Sequence, residues 1–135
     1  MNMSEFFKPL HKYKNSRIID ISKNLNYTYE DFYQQIELIN NELCNMKITK
    51  KSIVIIYKIN SALDTLLLFF ACLKNELIPF IVENEEIEDL ADIKYKVIIT
   101  NNDLTNESVT PVKLKTLPEI FLYDMVSSDY YIQNS

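Results

Sequence analysis

The chain has 135 residues, of which 47% are hydrophobic, so its length and composition suit one domain with a packed core. Its net charge of −5 argues against nucleic-acid binding, because a polyanion requires a basic protein face. The sequence contains no glycine, which leaves asparagine as the next best residue for turns with a left-handed backbone.

The segment 1–16 is polar and is predicted to be loose, ahead of a single α/β region that spans 17–135. It lacks the apolar core and the small-residue cleavage pattern of a signal peptide. The most apolar run, ALDTLLLFFACL, is too short to span a bilayer and contains Asp64. We therefore expect a cytoplasmic protein that does not interact with a membrane.

The first half of the chain predicts strand, helix and strand. A short strand is expected at Arg17–Ile21, followed by a turn and by a helix over 28–46. Thr28 is suited to cap this helix, with Asp31 three residues later, as in a variant capping box. The continuous β-branched run Ser52–Tyr57 predicts a strand buried on both faces, as in a parallel sheet. The helix has an apolar stripe at a 3.6-residue period and a polar side opposite it: Phe32, Ile36, Ile39, Leu43 and Met46, against Glu37, Asn40 and Asn41.

A second helix and a third strand follow. Ser61 is suited to cap a helix over 61–74, with Asp64 three residues later, and this helix is apolar almost all round. Leu77–Val82 is predicted as the next buried strand. Pro79 within it indicates an edge position or a strand start, because proline has no N–H for a sheet ladder.

The last third of the chain contains weaker elements. We predict a short acidic helix within Glu83–Ile93 and a buried strand at Lys96–Thr100. Two weaker strand or loop segments, Thr110–Lys115 and Glu119–Met125, precede a closing strand at Tyr130–Ser135. The alternation of strands and helices predicts an α/β fold, with a parallel sheet flanked by helices and forming half of a doubly wound sheet.

Few side chains indicate a site by themselves. Cys44 and Cys72 are predicted to be reduced, buried thiols, with a disulfide or a reactive thiol as the alternatives. His11, the one histidine, does not complete a usual zinc site with them. Two tyrosine pairs suit packing better than base stacking: Tyr27 with Tyr29, and Tyr130 with Tyr131. Six carboxylates suit a solvated helix start better than a divalent-metal site: Glu83, Glu85, Glu86, Glu88, Asp89 and Asp92.

Several segments match, in order, the pattern of a known family. LNYTYEDF is similar to an early helix start of that family, and ITKKSIVIIYKIN to a strand that has Gly-Asp where Lys51 and Ser52 stand. LLLFFACLKNELIPFIVE keeps the family's alanine at Ala71 and its proline at Pro79, with a family glycine replaced near Asn75. DIKYKVIITNND is similar to a third strand. The chain thus resembles the N-terminal part of the adenylate-forming enzymes, which include acyl-CoA ligases, luciferases and nonribosomal peptide synthetase adenylation domains.

The closing segment SDYYIQNS resembles the strand that leads into the family's phosphate loop, T-S-G-T-T-G-x-P-K-G. Asn134 and Ser135 match its first two positions, whereas the glycines that follow, the acidic ribose contact and the catalytic lysine have no counterpart in this chain. In the family this loop holds the phosphates of ATP, and ATP and Mg²⁺ are implied for the full-length enzymes. The resemblance implies the N-terminal portion of the large subdomain of an adenylation domain.

The expected function follows from this resemblance. We expect an N-terminal fragment of an ATP-dependent ligase that activates a carboxylate as an acyl- or aminoacyl-adenylate. Such a fragment is inactive alone, binds no cofactor by itself, and binds a complementary C-terminal fragment or self-associates. The alternative is a non-catalytic, free-standing α/β interaction module derived from that fold, favoured by the replaced glycines at Lys51 and near Asn75. A third reading, an unrelated nucleotide-binding Rossmann-like domain, lacks a glycine-rich turn after its first strand.

Overall fold

The computed structural model describes residues 17–20, 25–90, 92–104 and 110–125. The sequence-based predictions for His11, for the closing strand at Tyr130–Ser135 and for Asn134 and Ser135 lie outside these described residues. The described elements, in chain order, are β1 (Arg17–Asp20), β2 (Leu25–Thr28), α1 (Tyr29–Asn45), β3 (Ile53–Tyr57), α2 (Ala62–Lys74), β4 (Ile78–Val82), a 3-10 turn (Ile87–Leu90), β5 (Tyr95–Thr100), β6 (Val112–Lys113) and β7 (Phe121–Asp124).

A five-stranded mixed sheet has the order β4-β3-β5-β7-β6. The central strand β3 pairs in parallel with both β4 and β5, which confirms the predicted parallel core of an α/β fold. The sheet is not parallel throughout, because β7 runs antiparallel to β5 and β6 antiparallel to β7. Separately, β1 and β2 form an antiparallel pair, in a region where a turn was predicted after the first strand.

Both helices begin where the cap residues predict. The Asp31 backbone N–H donates to Thr28 Oγ1 at 3.0 Å, and the Thr28 N–H donates to Asp31 Oδ2 at 3.1 Å, so the predicted capping box is present. In α2 the Asp64 N–H donates to Ser61 Oγ at 3.3 Å. These bonds satisfy donors that the first turn of a helix otherwise leaves free.

The main hydrophobic core lies between the helices and one face of the sheet. The α1 stripe packs there with α2 and with side chains of β3, β5 and β7, including Val54, Ile99 and Leu122. Burying each large aliphatic side chain of this kind contributes about 1.5–3 kcal/mol. The stripe members at 0–3% exposure are Phe32, Ile36, Ile39 and Leu43.

The opposite face of the sheet has a thinner cover. Its core contains Ile55, Ile98 and Tyr123, packed against Leu90 of the 3-10 turn. Where the sequence predicts a short acidic helix, the structure has a four-residue 3-10 turn. Among the described residues both helices lie on one face of the sheet. The predicted doubly wound arrangement requires a helix on the other face as well. There, the connection from β4 to β5 contains only this turn and its flanking loops.

The prediction that β4 is buried is wrong. β4 lies at one edge of the sheet, as Pro79 indicated, and Ile78, Phe80 and Ile81 are 43–45% exposed. A non-alternating apolar run predicts a strand whose side chains are buried on both faces of the sheet. Such burial also requires a second neighbouring strand and packed elements on both faces.

Two further expectations are corrected by the described residues. Cys44 is exposed and Cys72 buried, and both thiols are free. The left-handed turn positions hold no asparagine but lysine and glutamate instead: Lys47 (φ 55°), Lys51 (φ 65°), Lys58 (φ 48°) and Glu76 (φ 59°).

Neither described helix has the length and apolar character that a membrane span requires.

Candidate functional site at the carboxyl edge of the sheet

Ligands of open α/β sheets usually bind outside the carboxyl ends of the strands, where successive connections leave in opposite directions. Here α2 joins β3 to β4 on one side, and the next connection returns to β5 on the other side of β3. The gap between the carboxyl ends of β3 and β5 is therefore the candidate site. It is bordered by the loop 58–61 after β3 and by Asn101 and Asn102 after β5.

Lys58 supplies a positive charge at this edge. Its left-handed backbone turns the chain out of β3, and its N–H donates to the Val82 carbonyl at 2.9 Å. Its Nζ lies 3.4 Å from Glu86 Oε1 and 5.2 Å from the centroid of the Tyr57 ring. A hydrogen bond with Tyr57, followed by the interaction with Glu86, raises the pKa of Lys58. Lys58 therefore remains protonated and can supply positive charge but cannot act as a base at neutral pH.

Asn101 spans the gap between the two loops. Its Oδ1 accepts from the Asn60 N–H at 2.8 Å, and its Nδ2 donates to the Glu119 carbonyl at 3.0 Å. One carboxamide thus ties together the loop after β3, the end of β5 and the start of β7. A ligand in this gap would have to displace these contacts or bind above them.

The amino end of α2 borders the gap and already uses part of its hydrogen-bonding capacity within the helix. Ser61 Oγ caps the Asp64 N–H, and the Ser61 carbonyl accepts from the backbone and the hydroxyl of Thr65, both at 3.0 Å. Ser61, Asp64 and Thr65 are all buried. The Asp64 carboxylate in the first turn makes this helix end less favourable for an added anion.

The acidic residues that follow β4 form no metal site. All six are exposed, as predicted for a solvated segment, and Glu86 pairs with Lys58. In the part of the chain that the structure describes, no group of three or more His, Cys, Asp or Glu side chains could hold a metal ion.

A separate shallow cavity of about 170 Å³ lies between the end of α1 and β6, lined by Glu42, Asn45, Met46, Val112, Lys113 and Lys115. Its carboxylate is already bound, because Glu42 accepts from the Lys115 N–H at 2.6 Å and from the Thr116 N–H at 3.0 Å. The cavity therefore has the character of a packing defect beside a structural carboxylate.

Lys58 and Asn101 are the site residues that the sequence analysis missed. The signal for both was available, since each follows a buried strand in the segments IYKIN and IITNN. Polar residues directly after parallel strands meet at one sheet edge. The predicted site residues Asn134 and Ser135 lie outside the described part of the chain, so no distance relates them to this edge.

Comparison of the sequence with protein-family models finds no model that matches, and comparison with curated proteins finds no match.

Proposed function

We propose that the chain is the N-terminal portion of the large subdomain of an adenylate-forming, carboxylate-activating ligase, and that it does not catalyse alone. The observation that best supports the proposal is the backbone conformation at or beside two positions where the pattern of the adenylate-forming family has glycine. Lys51 has φ 65°, and Glu76, next to Asn75, has φ 59°. Positive φ is uncommon for residues other than glycine, and two of the four described residues that have it lie at or beside these positions.

These two residues also meet. The Lys51 N–H donates to the Glu76 carbonyl at 2.7 Å, at the edge of the sheet where β3 and β4 begin. Two adjoining turns, each with a left-handed residue, are the kind of geometry for which glycine is ordinarily used. The parallel pairing of β3 with both β4 and β5 adds support, because the resemblance implies a parallel sheet that contains these strands.

The proposed inactivity rests on the chemistry of adenylation. Acyl-adenylate formation requires donors and cations aimed at the α-phosphate and at the leaving pyrophosphate. This segment has no glycine for a phosphate loop, and its Lys58 is already engaged by Tyr57 and Glu86. We therefore propose that ATP and Mg²⁺ bind only when a complementary C-terminal region supplies the loop, the ribose contact and the catalytic lysine.

The test is carboxylate-dependent exchange of pyrophosphate into ATP. We expect no exchange above background with the 135-residue chain alone. Joined to the C-terminal region of an adenylate-forming enzyme that begins at the phosphate loop, the chain is expected to give exchange. The C-terminal region without the chain is the control. Exchange by the chain alone would contradict the inactivity, and a folded, soluble but inactive chimera would contradict the family assignment.

A second candidate is a non-catalytic interaction module of the same fold. The Asn101 bridge across the strand gap favours it, because a bridged gap suits a structural role better than ligand entry. The nucleotide sequence after codon 135 separates the two candidates. An open frame that begins with a Gly-Thr-Thr-Gly-like loop supports the ligase, and a stop codon with no separate frame that begins with such a loop supports the module.

A further inference from the structure

The edge strand β4 carries the largest concentration of exposed apolar side chains in the described sheet. Ile78, Phe80 and Ile81 are 43%, 45% and 44% exposed. The register places Phe80 beside Ile55, on the face away from the helices, and Ile81 beside Ile56, on the helix face. An open edge with apolar groups on both faces is a feature of surfaces that bind another chain.

The backbone of β4 shows which groups remain for a partner. The Ile78 N–H donates at 2.9 Å to the carbonyl of the residue before β3, and the Val82 carbonyl accepts at 2.9 Å from the residue after β3. Because backbone groups alternate in direction along a strand, Pro79 and Ile81 point theirs toward the open edge. Proline therefore loses no bond to β3, and the outward groups of the strand are the Pro79 carbonyl and the Ile81 N–H and carbonyl.

These outward-pointing backbone groups can form hydrogen bonds with the same groups of a second copy in one arrangement. In an antiparallel pair of two β4 strands centred on Phe80, each Ile81 N–H faces the Pro79 carbonyl of the other copy. Because Pro79 has no N–H to donate, the pair forms fewer hydrogen bonds than two strands without proline would form. The arrangement also brings the two Phe80 side chains together on one face, where opposed aromatic side chains stabilise a strand pair.

The charges at the two ends of β4 favour the same direction. Lys51 is exposed at its amino end, where its N–H bonds to the Glu76 carbonyl, whereas the neighbouring Lys50 already pairs with the Glu76 carboxylate. Glu83 and Glu85 are exposed just after its carboxyl end. Antiparallel pairing places Lys51 of each copy near the glutamates of the other, whereas a parallel pairing would oppose like charges.

We propose that this chain forms a two-fold dimer through antiparallel pairing of β4 with β4 of a second copy, with Phe80 at the centre. The contact is one short strand and its side chains, which is small for a specific interface, so we expect a dissociation constant on the order of tens of micromolar. The inference concerns the surface of the chain itself and does not depend on the proposed ligase function.

Sedimentation velocity of the full chain over a range from about 1 to about 300 µM tests the dimer. Ile81→Pro removes the outward N–H without touching a bond to β3, and Phe80→Lys places a charge at the centre. We expect each to weaken dimerisation by about tenfold or more with thermal unfolding still cooperative. Leu38→Lys, at an apolar position of α1 that is 50% exposed, is the matched control and should leave the dimer intact.

A charge exchange tests the direction of pairing. Lys51→Glu should weaken the dimer, and Glu85→Lys added to it should restore part of the loss. If Ile81→Pro does not fold, Phe80→Lys and the charge exchange still test the interface. A chain that stays monomeric at all concentrations would overturn the proposal. So would a dimer that is unaffected by Phe80→Lys, or one that Leu38→Lys abolishes.

Discussion

The carboxylate of Glu42, near the end of α1, binds the turn at Thr116, 74 residues later in the chain. Glu42 Oε2 accepts from the Thr116 N–H at 3.0 Å and from its hydroxyl at 2.6 Å, while Oε1 accepts from the Lys115 N–H at 2.6 Å. One side chain thus satisfies the backbone donors of the turn that follows β6 and fixes that turn against the helix.

Glu42→Ala is expected to lower the free energy of unfolding by about 2 kcal/mol, because it leaves the partly buried N–H and hydroxyl of Thr116 without an acceptor. Glu42→Gln should lose less, since an amide oxygen still accepts. Chemical denaturation monitored by circular dichroism measures both. Glu119→Gln is the control, because that side chain is exposed. Equal effects of Glu42→Ala and the control would contradict a structural role for Glu42.

The Asn101 bridge gives a second prediction, local to the candidate site. Asn101→Ala should destabilise the chain by about 1–2 kcal/mol and speed hydrogen exchange of the Asn60 amide, which loses its acceptor. Asn102→Ala is the matched control, because its side chain is exposed and its own N–H bonds to Thr100. Unchanged exchange at Asn60 in the Asn101 variant would show that the bridge does not form in solution.

The turn after α1 predicts a stabilising substitution. Lys47 directly follows the cap residue Met46, has φ 55°, and donates its N–H to the Cys44 carbonyl at 3.0 Å. This is the position where helices favour glycine, so Lys47→Gly should raise stability by about 1 kcal/mol. Asn45→Gly, inside the last turn of α1, should instead lower stability by about 0.5–1 kcal/mol. Melting temperatures that shift in the same direction for both would refute the conformational argument.

The polar side predicted for α1 contains one residue with an unusual environment. Asn40 is half-buried, and its Oδ1 is buried with no hydrogen-bond partner among the described residues. Leaving such an acceptor unsatisfied costs about 1–3 kcal/mol, so Asn40→Ala should be neutral or stabilising. Asn41→Ala, at the exposed neighbouring position, should change stability by less than about 0.5 kcal/mol. A clear loss of stability in Asn40→Ala would mean that this amide is hydrogen-bonded.

The two thiols should differ in reactivity. Burial raises the pKa of Cys72 to about 12, whereas Cys44 is exposed, its Sγ 3.3 Å from Asn75 Oδ1. A disulfide reagent at about pH 8 should therefore modify one thiol per native chain and two in denaturant. Cys44→Ser should abolish the native reaction. Rapid modification of that variant would show that Cys72 is accessible.

The raised pKa of Cys72 predicts that the protein loses stability at alkaline pH. Because the pKa of Cys72 is higher in the folded than in the unfolded chain, the unfolded state releases its proton first as the pH rises. The contribution of Cys72 to stability is complete below an ordinary thiol pKa of about 9 and decreases as the pH rises toward about 12. Denaturation curves of the wild type and of Cys72→Ala across this range should therefore converge, and a constant difference between them would contradict the linkage.

Local patterns in the sequence determined the helices and the parallel core. The caps at Thr28 and Ser61 act over three residues, and the α1 stripe over successive turns, so neither needs distant information. The non-alternating run of β3 indicated burial on both faces, which the burial of its side chains in the cores on both sides of the sheet confirms. The resemblance to adenylate-forming enzymes rests on the order of such segments and stays a proposal.

Tertiary structure alone decided the antiparallel direction of β7, the exposure of β4 and the contacts of Asn101 and Glu42. The apolar run of β4 specifies a strand but not whether another strand lies beside it. Likewise, the partners of Glu42 are 73 and 74 residues away, and the bridge from Asn101 to Asn60 crosses 41 residues. Such pairings depend on where the folded chain places each loop, and no periodicity or cap motif encodes that position.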